Sequence, residues 1–236
     1  MLKDIIPLSI CLLTLLVWTP LMSVSAVVNS VNVFPPGSDP YGLTYDEHVK
    51  NFWKWVISLP KDKSPWQDST GKNCANGQVG TNSSLFYLSG NGGGQTLDRT
   101  CKVPAGKGLF IPVSPMEISD KEVPNTSVEG LHSIAKKDQD SITSLSLKIG
   151  DKKYSFEDLQ KYRIHTGDLQ VIFPENAIFG ATAGPSKAAA DGYYVITEPL
   201  KKGNYTIAYS SSLICPSVDC IQPNFAQNIA YVITAE

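Results

Sequence analysis

Apolar residues recur along this chain at two spacings. Tyr45, Val49, Phe52, Trp53 and Val56 fall on one stripe of a helix, with Glu47, Lys50, Asn51, Lys54 and Ser58 opposite. Thr44 followed by Glu47 forms a capping box, and Pro60 supplies the stop. The spacing therefore predicts an amphipathic helix that lays aromatic side chains on a sheet. Further along, short apolar or alternating runs are bounded by Gly, Pro and Asn. They predict strands over 85–88, 95–103, 109–113, 142–149, 169–173, 192–197, 204–210 and 225–234. The run over 109–113 is almost wholly apolar, which predicts a strand buried on both faces and ended by Pro115. The glycines of 90–94 read as a hairpin tip and 200–203 as a second hairpin, while 176–190 reads as a long loop. A short helix is expected over 128–136, and Ser155 is placed to cap one helical turn bearing Phe156 and Leu159.

Many short strands with one flanking helix predict a mainly β fold. The expected architecture is an antiparallel β-sandwich, jelly-roll or immunoglobulin-like, with the N-terminal amphipathic helix packed on it. Residues 44–236 read as a single β-rich domain and 27–43 as an extended N-terminal arm. Before them, 1–26 has the form of an export signal: Lys3, an apolar run over 5–17, then Val24-Ser25-Ala26 as a cleavage site. The alternative is a segment kept as a membrane anchor. Either way the expected location is secreted or at the cell surface.

Composition narrows the picture. Twenty Lys and Arg against 22 Asp and Glu leave a formal charge of −2, without the basic excess that phosphate binding needs. A nucleic-acid partner is therefore not expected. Cys11 leaves with the signal, so Cys74, Cys101, Cys215 and Cys220 remain, an even number suited to an oxidising compartment. Of three pairings, Cys74–Cys101 and Cys215–Cys220 each close one local loop. In an exported chain the sequons at Asn82, Asn125 and Asn204 become candidate glycosylation sites.

Several blocks occur together: FWKW with SLP (52–60), DSTGKNC (68–74), LFYLSG (85–90), RTCKVPAGKGLFIPV (99–113) and DGYYVITEPLKKGNYTI (191–207). Jointly they resemble a diffuse group of exported bacterial and archaeal proteins that share TG-x-N-C, C-x-VPAGK-x-LF-x-P and DGYYV. The resemblance implies export, the Cys74–Cys101 pairing and a β-rich fold, and brings no activity. The PAGKGLFIP stretch also looks like a cupin strand, but the cupin His-x-His metal motif is missing.

Candidate chemistry is sparse. His48, His132 and His165 are the only histidines, and no two have metal-motif spacing. No cofactor is expected. If a metal or acid–base site exists, His48, Glu117 and His165 are its candidate residues, with Asp168 as a partner for His165. His48 also reads as an edge residue of the buried stripe, and Glu117 as a polar residue at a strand mouth. No nucleophile-elbow or phosphate-loop motif is present. Trp55, Trp66, Tyr193 and Tyr194, with Tyr41, could stack on a carbohydrate. Adjacent strand residues face opposite ways, so one of Tyr193 and Tyr194 should be exposed or covered by a loop. The sequence favours a binding or structural role outside the cytoplasm. Alternatives are a secreted hydrolase or metal-dependent enzyme, or a subunit of an envelope complex.

Overall fold

The computed structural model describes residues 28–78, 83–217 and 220–236; the expected export signal lies outside the described residues. In chain order the elements are β1 (Val28–Asn29), α1 (Tyr45–Ser58), β2 (Leu85–Tyr87), β3 (Thr96–Val103), β4 (Gly108–Ser119), α2 (Val128–Asp140), β5 (Ile142–Ile149) and β6 (Lys152–Tyr154). They continue with α3 (Phe156–Gln160), β7 (Arg163–His165), β8 (Leu169–Phe173), β9 (Gly184–Ile196), β10 (Gly203–Ile214) and β11 (Asn224–Ala235). The described chain is mainly β.

The strands form two mixed sheets. One has the order β3-β11-β10-β5-β6, with β1 beside β10; the other is β2-β4-β9-β7, with β8 beside β9. Strand geometry sends alternate side chains to one face. Tyr205, Ile207 and Tyr209 of β10 and Ile229, Tyr231 and Ile233 of β11 thus join Leu109, Ile111, Val113 and Val195 of the other sheet in one apolar core.

The helix α1 starts at the expected capping box: Thr44 Oγ1 accepts from the Glu47 N–H, and the Glu47 carboxylate accepts from the Thr44 N–H. Its stripe is buried as predicted. Phe52 stacks on Phe110 with ring centroids 5.0 Å apart, and Trp53 Nε1 donates to the Tyr194 hydroxyl at 3.1 Å. A smaller cluster forms where Leu131 and Ala135 of α2 meet Met116, Ile118 and Ala189.

Several expectations are corrected. The sheets are not purely antiparallel, because β1–β10, β3–β11 and β2–β4 run parallel. The glycines of 90–94 are not a hairpin tip: β2 and β3 lie in different sheets, and the run crosses between them. There Gly93 has φ +85, and a Cβ on it would meet the Phe225 ring at 2.6 Å. Glycine at 93 is needed for this close passage along β11. Residues 200–203 likewise join β9 to β10 across the sheets.

Strand β4 does not end at Pro115 but runs to Ser119. Its pairing with β2 stops at Phe110, so Pro112 and Pro115 fall where only β9 is paired, and the register shifts between Pro112 and Ser114. A proline is tolerated in a strand at such a one-sided, bulged stretch. The expected loop over 176–190 gives way to strand at Gly184. Its alanines have weak strand propensity, but packing decides: small side chains at 188–190 are fully buried and let α2 approach β9.

Candidate functional site

Three places gather polar chemistry. The first lies where α2, β7 and β9 meet. Register sets Asp191 of β9 opposite His165 of β7, and Arg163, two residues from His165, shares its face. Asp191 is fully buried. Arg163 grips it in a fork, Nε to Oδ1 at 2.8 Å and Nη2 to Oδ2 at 2.9 Å, and its Nη1 donates to Asp140 Oδ1 at 2.7 Å. Such paired, charge-assisted bonds fix the carboxylate in place. His165 Nδ1 stands 3.2 Å from Asp191 Oδ2. A carboxylate only accepts, so Nδ1 is the donor of this contact, on a half-exposed ring. The His132 ring of α2 lies 4.9 Å from that of His165, and its Nε2 is 3.7 Å from Asp168 Oδ1. This is an imidazole oriented by a buried carboxylate. Among the described residues no nucleophilic side chain is hydrogen-bonded to it.

The second place is a pocket of about 310 Å³ beside the start of α1, lined by Tyr41, Leu43, His48, Asn51, Ser83 and Tyr87 among others. His48 is 3% exposed. Burial pulls its pKa below the ordinary imidazole value, outweighing the Pro40 carbonyl and Glu47. The third is an open groove of about 740 Å³ lined by Lys54 and Ser58 of α1, Gln170 and Ile172 of β8, and Ser186 and Lys187 of β9. Ile172 is 69% exposed there.

The sequence candidates are thus scattered. Asp168 sits by His132, and the partner of His165 is Asp191. His48 is buried in the stripe itself and is no half-exposed edge. Glu117 does not line a strand mouth; it is a buried residue within β4. Among the described residues no group of three or more His, Cys, Asp or Glu is placed to hold a metal ion, so His48, Glu117 and His165 do not form the expected ligand set. Trp55, Trp66, Tyr193 and Tyr194 are all buried and offer no stacking face to solvent. Trp55 lies on Tyr87 at 5.5 Å, Trp66 is tilted on Trp53 at 5.5 Å, and Arg163 covers Tyr193 at 6.0 Å. Asn125 and Asn204 are exposed, the latter on β10, and Asn82 lies outside the described residues. Both expected disulfides are formed, Cys74–Cys101 and Cys215–Cys220. Sequence reading missed Asp191, Arg163 and His132 as a group, because short β7 carries no strand pattern of its own. The DGYYV block was the one visible signal at Asp191.

Glu117 carries a testable consequence. Its carboxyl group is buried beside that of Glu122. Burial, then the charge of Glu122 and a hydrogen bond to its carboxyl, push the Glu117 pKa well above the ordinary value. The folded state therefore holds a proton that the unfolded chain releases above about pH 4.5. This stabilising contribution is complete below the unfolded pKa and is lost as pH rises through the folded one. Glu117→Gln removes the proton linkage: at pH 8 it is expected to stabilise by about 1–2 kcal/mol, the scale of one pH unit of linkage. Near pH 4 the variant and the parent should melt together. Urea titrations at the two pH values check this, and an equal gain at both would contradict it.

Comparisons with known proteins add little. No protein-family profile matches the chain, and no curated protein matches it. Among solved structures, a chain from the structure of PbICP-C in complex with falcipain-2 is similar over 65% of this chain and 100% of that one, at 14% identity and a TM-score of 0.26. A likeness at that score carries no argument about fold or function.

Proposed function

We propose that this protein is exported and binds a ligand at the cell surface or outside the cell, as a disulfide-stabilised β-sandwich of one domain. The observation that carries the reading is the pair of disulfides, which persist in oxidising compartments and are rare in the cytosol. The open groove beside Ile172 supports a binding role, since its volume is within the range of small-ligand sites. The resemblance to exported proteins agrees with the location. Asn125 and Asn204 are exposed where a glycan could be attached. Among the described residues no helix is long and apolar enough to cross a membrane. In this reading any anchoring falls to the N-terminal segment.

Fractionation of native cells with thiol trapping tests the proposal. The protein is expected outside the cytoplasm, starting at Val27, with Cys74, Cys101, Cys215 and Cys220 unreactive in denaturant without reductant. Recovery from the cytosol with four alkylated cysteines would falsify the reading.

A second reading, a secreted enzyme, is favoured by one observation: the buried, Arg163-clamped Asp191 orients His165 as acid–base residues are commonly oriented. It requires a turnover against ester, glycoside or phosphate model substrates that falls at least about 100-fold in His165→Asn with unchanged melting temperature. Activity that survives this substitution removes His165 from any catalytic role.

A further inference from the structure

We propose that His132 of α2 and His165 of β7 chelate one divalent transition-metal ion, copper(II) most tightly, at the surface where the two elements meet. The inference stands apart from both readings above.

Spacing carries it. The imidazole centres are 4.9 Å apart and the rings are tilted by 52°. Metal–nitrogen bonds of about 2.0–2.1 Å, at angles from square-planar to tetrahedral, put the centres of two neighbouring imidazole ligands about 4.5–5.2 Å apart. The pair thus stands at ligand spacing before any ion arrives. The available nitrogens follow from the contacts. On His165, Nδ1 is engaged with Asp191 Oδ2 at 3.2 Å, so Nε2 is the ligand atom, on a side chain 48% exposed. On His132, Nδ1 is closed off from solvent, so Nε2 is again the ligand atom, on a side chain 18% exposed.

The surroundings give independent support. A carboxylate behind a ligating imidazole fixes its tautomer and orientation and raises its basicity. Asp191 does this for His165, and Arg163 in turn holds Asp191 by two bonds. Asp168 Oδ1 lies 3.7 Å from His132 Nε2 and places a negative charge beside the ion. Nearby cations are already paired: Arg163 with Asp191 and Asp140, and Lys50, beside Gly167, with Asp46. Among the described residues no third ligand is held in place, so water completes the shell. Two nitrogens with oxygen partners suit copper(II), which heads the divalent series in affinity.

The probes are copper(II) and zinc(II) chlorides, added to the purified protein after stripping with EDTA. Calorimetry is expected to show one copper per chain with a Kd below about 10 μM, and weaker binding of zinc. Saturating copper should raise the melting temperature by roughly 5 °C, since folding is what brings the two rings together. His132→Gln and His165→Gln should each weaken copper binding at least about tenfold. Both metal-free variants should melt within about 2 °C of the parent. The electron paramagnetic resonance spectrum of bound copper should show two imidazole nitrogens in the parent and one in either variant. Should the variants fail to fold, the parent's spectrum decides. The inference is overturned if copper binds no tighter than about 100 μM, if either folded variant keeps the parent's affinity, or if the parent's spectrum shows fewer than two imidazole nitrogens.

Discussion

Replacing Arg99 by Met is expected to destabilise the protein by about 2–4 kcal/mol, the scale of losing several buried hydrogen bonds from a charged donor. Arg99 is 1% exposed, on the inward face of β3. Its Nε donates to the Asp68 carbonyl at 2.8 Å; its Nη1 donates to the carbonyls of Ser89 at 2.6 Å and Gly90 at 3.2 Å and to the Tyr231 hydroxyl at 2.8 Å. Tyr209 also donates to the Ser89 carbonyl, at 2.8 Å. Methionine would fill much of the volume and leave the Asp68 carbonyl without its donor, while the Ser89 carbonyl keeps Tyr209 and Tyr231 and the Gly90 carbonyl keeps the Ser89 hydroxyl, all without the charge assistance of the guanidinium. Urea unfolding should show a lower midpoint at an unchanged slope, with a melting temperature lower by roughly 10 °C. Arg99→Lys should recover only part of this, since an ammonium cannot reproduce the spread of a guanidinium fork. A loss below about 1 kcal/mol in the Met variant would show that the crossover segment finds other partners.

The inward arginine was open to sequence reading and shows where that reading stops. Leu97, Arg99, Cys101 and Val103 alternate with exposed Thr96, Asp98, Thr100 and Lys102; the period alone sets Arg99 inside. What the pattern could not supply is the partner, because Ser89 and Gly90 reach Arg99 only when 90–94 crosses between sheets, and Asp68 only when the Cys74 loop lies along β3. Glycines signal φ freedom and close approach alike, and the choice between a hairpin and a crossover depends on which strands pair. The same holds at β9, where Ala188, Ala189 and Ala190 read as loop in isolation and as strand once α2 covers them. By contrast α1, the α3 cap and both disulfides were legible, since each depends on residues near one another in sequence or on a small set of pairings. The candidate sites divide likewise. His48 was visible on its helix, but its contact with the Pro40 carbonyl was not, and the Asp191–His165 contact depends on strand register.

Removing the Cys74–Cys101 bridge is the other large effect, and it should prove coupled to Arg99. The two cysteines are 27 residues apart. For a loop of that length the chain-entropy account gives about 3–4 kcal/mol, against about 2 kcal/mol for Cys215–Cys220, which are 5 residues apart. The double replacement Cys74→Ala with Cys101→Ala should therefore lower the melting temperature by roughly 10 °C, about twice the effect of removing the second bridge. The Cys74 loop also bonds to β3 directly: Thr100 N–H donates to the Thr70 carbonyl at 2.9 Å, and a Cβ on Gly71 would lie 2.2 Å from the Thr100 carbonyl oxygen. The bridge thus holds in place the segment whose Asp68 carbonyl accepts from Arg99. Once the bridge is gone that segment can move away, and the carbonyl no longer needs the guanidinium. Arg99→Met should then cost less in the bridge-free protein than in the parent, by about 0.5–3 kcal/mol in a double-mutant cycle. Strict additivity would mean that the loop stays seated without its sulfur bridge, leaving the Thr70–Thr100 contact and the packing of Gly71 as sufficient to hold it.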